Sequence, residues 1–176
     1  MTELEHFRAQ KDAFFKSHPQ SPLTAEQQAT FGGLRYFPEN PELRLVLPVE
    51  QFAQQDTVVM QTSTGEPRTY TRYGRLRFAV DSQDVALAVY ADLDSGAFFL
   101  PFADALRGRE TYGAGRYLDP EPLGGGRFLV DFNLAYNPYC AYNDDWSCPL
   151  TPVENWLRVP IRAGEKLFDD VKQPAA

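Results

Sequence analysis

Side chains able to carry covalent or proton-transfer chemistry are scarce in this sequence, and their positions narrow what it can do. Cys140, in AYNPYCAY, and Cys148, in WSCPL, are its two cysteines; His6 and His18 are its two histidines. Three readings of the cysteines stand open: a disulfide closing a short loop, a nucleophilic or redox-active Cys140, and two small buried thiols packed among aromatics. No histidine lies near Cys140 in sequence. Activation would therefore need its thiol pKa lowered by an arginine or a helix end. A Ser-His-Asp triad would have to draw on a histidine near the N-terminus. Structural zinc is not expected, because there is no Cys-x-x-Cys spacing and no neighbouring histidine to complete a ligand set. Gly113-x-Gly115 lacks the third glycine and the strand-turn-helix setting of a dinucleotide loop, and Gly124-Gly125-Gly126 is followed by no Lys-Ser/Thr. Asn143, Asp144 and Asp145 supply oxygen ligands without the calcium-loop pattern.

The stronger candidates are polar and aromatic. Arg109, Tyr112 and Arg116, with Glu110 and Tyr117, cluster in GRETYGAGRYLD. A planar guanidinium bonds carboxylate or phosphate in two places, so this cluster could hold a small anion; a solvated ion pair with Glu110 and packed tyrosines is the competing reading. Asp131 and Asn133, two apart on an expected strand, would share a face. They either bind a ligand or pin the backbone of the following loop, as Asp and Asn commonly do. Tyr136 and Tyr142 complete a set of candidate ligand-binding residues: Arg109, Tyr112, Arg116, Asp131, Asn133, Tyr136 and Tyr142. No cofactor can be named from them.

These residues need a frame. Residues 2–18 read as an amphipathic helix, with Leu4, Phe7, Phe14, Phe15 and His18 on one face, Lys11 and Glu5 elsewhere, and Pro19 stopping it. Thr24-Ala-Glu-Gln27 has the capping-box form and starts a short helix up to Phe31. Strand signals then take over: Leu43–Val49, Thr57–Thr62, Arg68–Arg72 and Gly74–Val80, with Gly74 as a bulge or bend. Leu76, Phe78 and Val80 alternate with Arg75, Arg77 and Ala79; Val85, Leu87 and Val89 alternate with Ala86, Ala88 and Tyr90. The spacing predicts a hairpin over 74–90, turned by Asp81-Ser-Gln-Asp84. Ala97–Pro101 and Thr111–Asp119 are further strands, Glu121–Gly126 a flexible turn, and Phe128, Val130 and Phe132 the apolar face of the last clear strand. Residues 135–152 read as an ordered loop, Trp156–Ile161 as an edge strand limited by Pro160, and the tail from about 169 as frayed.

Composition agrees. The chain has 176 residues, 43% of them hydrophobic, which suits a single domain. Thirteen Phe and nine Tyr favour strands, and fourteen Pro and twelve Gly demand short elements. The fold class expected is mainly β: an antiparallel barrel or sandwich carrying an N-terminal amphipathic helix. A formal net charge of −7 argues against nucleic-acid binding and against anionic membranes. No apolar run reaches the roughly 18 residues that span a bilayer, and the N-terminus has no signal-peptide pattern, so a cytoplasmic setting is expected.

GRETYGAGRYLD at Gly108–Asp119, VDFNLAYNPYCAY at Val130–Tyr142, CPL at Cys148–Leu150 and ENWLRVPIRAGEK at Glu154–Lys166 together resemble the uncharacterised prokaryotic family catalogued as domain of unknown function 1684. RYFP at Arg35–Pro38 and YGRLRF at Tyr73–Phe78 extend the likeness, which covers roughly residues 35–166. Thr151 and Val153 depart from it where more proline is expected. The resemblance implies a compact prokaryotic domain and no substrate, cofactor or catalytic residue. Three functions follow as expectations: a small-molecule-binding domain for a small polar, anionic ligand; an enzyme, either a hydrolase or a thiol catalyst using Cys140; and an interaction domain, including a homodimer through a strand edge.

Overall fold

The computed structural model describes residues 1–168, so the tail expected to fray from about 169 lies outside the described residues. Its helices are α1 (Glu3–Ser17) and α2 (Ala25–Thr30). Its strands are β1 (Arg44–Gln51), β2 (Thr57–Met60), β3 (Arg68–Val80), β4 (Gln83–Asp92), β5 (Phe98–Phe102), β6 (Arg116–Leu118), β7 (Glu121–Gly124) and β8 (Arg127–Asp131). Among the described residues the strands form one antiparallel sheet in the order β6-β5-β4-β3-β1-β8-β7, with β2 added to β3. It curls into a half-barrel and does not close.

The β3–β4 hairpin is the frame. Leu76 faces Leu87 and Phe78 faces Val85, as the alternation requires. Its turn is tighter than expected: only Asp81 and Ser82 lie outside the ladder, at φ 50° and 65°, because a left-handed pair matches the natural strand twist. A bulge between Arg72 and Gly74 then changes which face the strand serves. Beyond it, Leu76, Phe78 and Val80 enter the main core with Leu87, Val89, Leu100, Phe102, Phe128, Val130 and Phe132. Before it, Tyr70 enters a second cluster with Met60, Ala88 and Tyr90 on the other face. One extra residue in the strand shifts its two-residue alternation by one and lets it line two compartments. β1 approaches closely at the bulge, and a Cβ on Gly74 would sit 2.7 Å from the Glu50 carbonyl oxygen.

The Val153–Asn155 turn braces the sheet from outside. Asn155 accepts from the Ala88 N–H (2.8 Å) and donates to the carbonyls of Ala88 and Pro101 (2.8 Å each), joining β4 to β5 just beyond their two-residue ladder. Beside it Glu154 takes both the Arg72 guanidinium and the Tyr90 hydroxyl. The Arg72 hydrogen bond, then that of Tyr90, hold the Glu154 carboxyl below its usual range against the opposing effect of burial.

Three expectations are corrected. Residues 121–126 are not a flexible turn: β7 pairs with β8 and only Gly125 and Gly126 turn the chain. Trp156–Ile161 joins no ladder beyond one bridge from Trp156 to Ala103, yet its alternation is real, since Leu157, Val159 and Ile161 are buried in the main core. Of Thr111–Asp119 only Arg116–Leu118 is strand, paired with Leu100–Phe102.

Gly74→Ala should lower stability by about 1–3 kcal/mol through overpacking against β1, read as a lower urea midpoint at unchanged m-value. Glu154 has a depressed folded pKa, so its stabilisation is full above the unfolded value near 4.5 and is lost as pH falls through the folded value. Glu154→Gln should flatten that acid limb by no more than about 1 kcal/mol, since the site is solvent-screened; a limb that stays as steep would refute the linkage.

Candidate functional site

A cavity of about 720 Å³ opens on the face of the sheet that Tyr70 reaches through the bulge. The sheet supplies Arg68, Tyr70, Phe99 and Tyr117; α1 supplies Phe7, Gln10 and Lys11; the segment 136–149 supplies Tyr136, Tyr139, Trp146 and Cys148. Its walls are mostly rings. Tyr70 stacks on Phe99 at 5.4 Å, Phe99 meets Tyr117 edge-on at 4.7 Å, and Tyr139 meets Trp146 edge-on at 5.1 Å. The Tyr117 hydroxyl donates to the Pro149 carbonyl and the Tyr136 hydroxyl to Asp119 (2.9 Å). Burial pushes both phenols up, so they act as neutral groups.

Two cations line the cavity. Lys11 is committed: its Nζ is 2.5 Å from Glu165 Oε1, and that carboxylate is 1% exposed. Arg68 donates one bond to the Ser147 carbonyl (2.9 Å), and among the described residues no carboxylate lies within 4.0 Å of it. It also bonds the Tyr70 hydroxyl and lies close enough to Asp92 to act electrostatically on that carboxyl, yet its fork of five N–H donors exceeds these partners.

The helix wall is held in an unexpected way. The sequence places Phe7 on the buried face of α1 and Lys11 off it; the structure reverses both. Leu4, Arg8, Lys11, Asp12 and Phe15 face the body, and Phe7 is exposed at the cavity. Arg8 donates to the Phe37 carbonyl, Asp12 accepts from the Leu34 N–H, and Lys11 meets Glu165. Burial lowers the Arg8 pKa and raises that of Asp12. A capping box between Thr2 and Glu5 starts the helix, and His18 ends it, stacked on Phe14 and exposed.

Glu165 in turn rests on Arg116. Arg116 is 1% exposed, and its guanidinium donates to the carbonyls of Ile161 (2.9 Å), Ala163 and Glu165 (3.0 Å), with Asp104 3.8 Å away. Burial brings its pKa down to about 10 against the pull of Asp104 and Glu165. It therefore fixes the strap 161–165 inside the protein and faces no solvent. The strap runs close to the chain at Gly164, where a Cβ would sit 2.7 Å from the Ala135 carbonyl oxygen. Glu165 then accepts the Asn137 N–H and the Tyr142 hydroxyl, each at 2.7 Å.

Of the residues named from sequence, Tyr136 lines the cavity. Arg109 is exposed and bonds the Ala105 carbonyl. Tyr142 is buried against Glu165 and Phe15. Asp131 and Asn133 do not share a strand face: Asp131 caps a short 3-10 turn, Phe132–Leu134, and Asn133 holds the backbone of Asn40 through both amide atoms. Tyr112 lies behind the cavity, its hydroxyl 3.8 Å from Cys140 Sγ. Both cysteines are free and buried, and Cys148 rather than Cys140 reaches the cavity wall. Cys148 Sγ accepts the Cys140 N–H at 3.3 Å and is also held by the Tyr139 N–H. The thiol–thiol hydrogen bond raises Cys140 and lowers Cys148, with the backbone donors and Arg68 adding to the effect on Cys148 and burial opposing it. No histidine lines the cavity. The residues missed in sequence are Arg68, Tyr70, Phe99 and the helix pair Phe7 and Lys11; they are far apart in the chain, and only the bulge near Gly74 hinted that Tyr70 changes face.

Arg116→Lys should destabilise the protein by about 3–5 kcal/mol, because an ammonium cannot reach three spread carbonyls and is left buried and under-bonded. Thermal unfolding within 1–2 °C of wild type would contradict this role.

The family described as Protein of unknown function (DUF1684) matches residues 29–166. The solution NMR structure of the uncharacterized protein from gene locus rrnAC0354 of Haloarcula marismortui is similar: 36% sequence identity, TM-score 0.71, covering 97% of this chain and 95% of that one. No curated protein matches. Among the described residues no helix is long and apolar enough to cross a membrane, and no group of His, Cys, Asp and Glu could hold a metal ion.

Proposed function

The chain belongs to the DUF1684 family, and from its cavity rather than from that membership we propose that it is a small-molecule-binding domain for a flat, largely apolar ligand bearing one anionic group. The observation that carries this reading is the pairing of aromatic walls with Arg68, a cation with no carboxylate within 4.0 Å among the described residues. The cavity volume of about 720 Å³ falls in the range of ligand pockets, and few convergent polar groups among rings are what such pockets use to orient a ligand. Tyr70, Phe99 and Trp146 offer ring faces and edges; Arg68 offers a forked donor.

This narrows the expectation drawn from sequence. The anionic group stays, but the recognising arginine is Arg68 rather than Arg109 or Arg116, and the ligand body is flat and apolar rather than polar throughout. Two free thiols fit the cytoplasmic setting read from the sequence, where reducing conditions keep cysteines unpaired.

The test uses a matched pair of probes, 2-naphthoate and the uncharged 2-naphthamide, titrated against Trp146 fluorescence with Trp156→Phe as the background. Naphthoate should bind more tightly than naphthamide, and Arg68→Ala should weaken naphthoate about 10-fold while leaving naphthamide unchanged, the loss of one charge-assisted contact. Equal binding of both probes to wild type, or of naphthoate to both proteins, would sink the proposal.

A further inference from the structure

We propose that Cys148 and Cys140 form a dithiol redox site that reduces hydroperoxides, with Cys148 as the nucleophile opening into the cavity and Cys140 as the resolving thiol behind it. This goes beyond the binding reading and does not rest on it.

Four observations place the parts. Cys148 lines the cavity, which gives a small oxidant a path to a residue that is otherwise buried. Its Sγ sits at the start of the short turn Tyr139–Ala141 and accepts backbone N–H groups there, donors that favour a thiolate over a thiol. Arg68 adds a cation at the same wall. The Cys140 N–H is 3.3 Å from the Cys148 sulfur, and Cys140 is not on the cavity wall. The groups facing the pair are Arg68, Tyr112, Tyr117 and the Ser63 hydroxyl, which also accepts the Cys148 N–H at 3.1 Å. A carboxylate, Asp144, acts on Tyr112 on the Cys140 side of this group.

The chemistry balances in two steps. The Cys148 thiolate attacks the distal oxygen of a hydroperoxide: an S–O bond forms, the O–O bond breaks, and the leaving alkoxide takes a proton from water to become an alcohol. Cys140 then attacks the sulfenic sulfur: an S–S bond forms, the S–O bond breaks, and hydroxide leaves with the Cys140 proton as water. Two thiols have lost two electrons, and the hydroperoxide has gained them. A small reducing thiol closes the cycle by exchange.

The full reduced chain is treated with one equivalent of cumene hydroperoxide, quenched in acid and read by intact mass. Wild type should lose both thiols together as a disulfide. Cys140→Ser should stop at a sulfenic acid on Cys148 that dimedone traps, and Cys148→Ser should leave Cys140 reduced. Iodoacetamide labelling of wild type at mildly acidic pH needs no variant, and should modify Cys148 about 10-fold faster than free cysteine, as a thiolate-rich sulfur of lowered pKa requires. Labelling no faster than free cysteine, or oxidation of Cys148→Ser at the wild-type rate, would overturn the assignment. The naphthoate titration is separate, so its failure leaves the redox result interpretable, and the reverse also holds.

Discussion

Everything around the cavity hangs on one buried cation. Arg116 is too far from water to be stable alone, and the fold compensates by turning the carbonyls of Ile161, Ala163 and Glu165 toward it, with Asp104 alongside. That arrangement fixes the strap, and the strap carries Glu165. Glu165 then fixes Lys11 on α1, the Asn137 backbone and the Tyr142 hydroxyl. Two of the cavity's three walls, the helix and the 136–149 segment, are thereby positioned by a chain of charge-assisted bonds that starts inside the core. The ring-rich third wall comes from the sheet and stands on ordinary packing.

The sheet reaches that wall by a register device. β3 would send Tyr70 into the main core if it kept strict alternation from Val80 downward. The bulge between Arg72 and Gly74 turns Tyr70 and Arg72 to the outer face, and this same turn brings Arg68 to the cavity and Arg72 to Glu154. β4 has no bulge and is buried on both faces, Leu87 and Val89 on one side and Ala88 and Tyr90 on the other. Long strands with a single interruption thus build both a core and a cavity wall from one hairpin.

Much of the fold was legible. The alternation at 74–90 and at 128–132, the capping box at Thr24 and Gln27, and the bend at Gly74 all follow from local rules, and local rules decide local elements. The site was much less so. Arg116 and Arg109 read alike in sequence, yet one is fully buried and the other exposed, a difference set by the distant strap. Asn133 shows the same limit: its partner is Asn40, far away in the chain. For α1 the apolar pattern misled, because Phe7 serves a cavity while Lys11, Arg8 and Asp12 find buried partners supplied by other segments. The surroundings of Cys148 come from Arg68 and the Tyr139–Ala141 turn, neither of which its sequence neighbours announce.

The two rims of the half-barrel remain. β6 is closed off by reciprocal backbone bonds between Tyr117 and Tyr136, at 2.8 and 3.0 Å. β7 ends the other rim; it is short, carries Pro122 with no N–H to give, and breaks register before Gly124. An open sheet this rich in aromatic and β-branched residues would otherwise be a template for polymerisation. Here one rim is occupied and the other blunted, so these two edges offer little for another strand to zip onto.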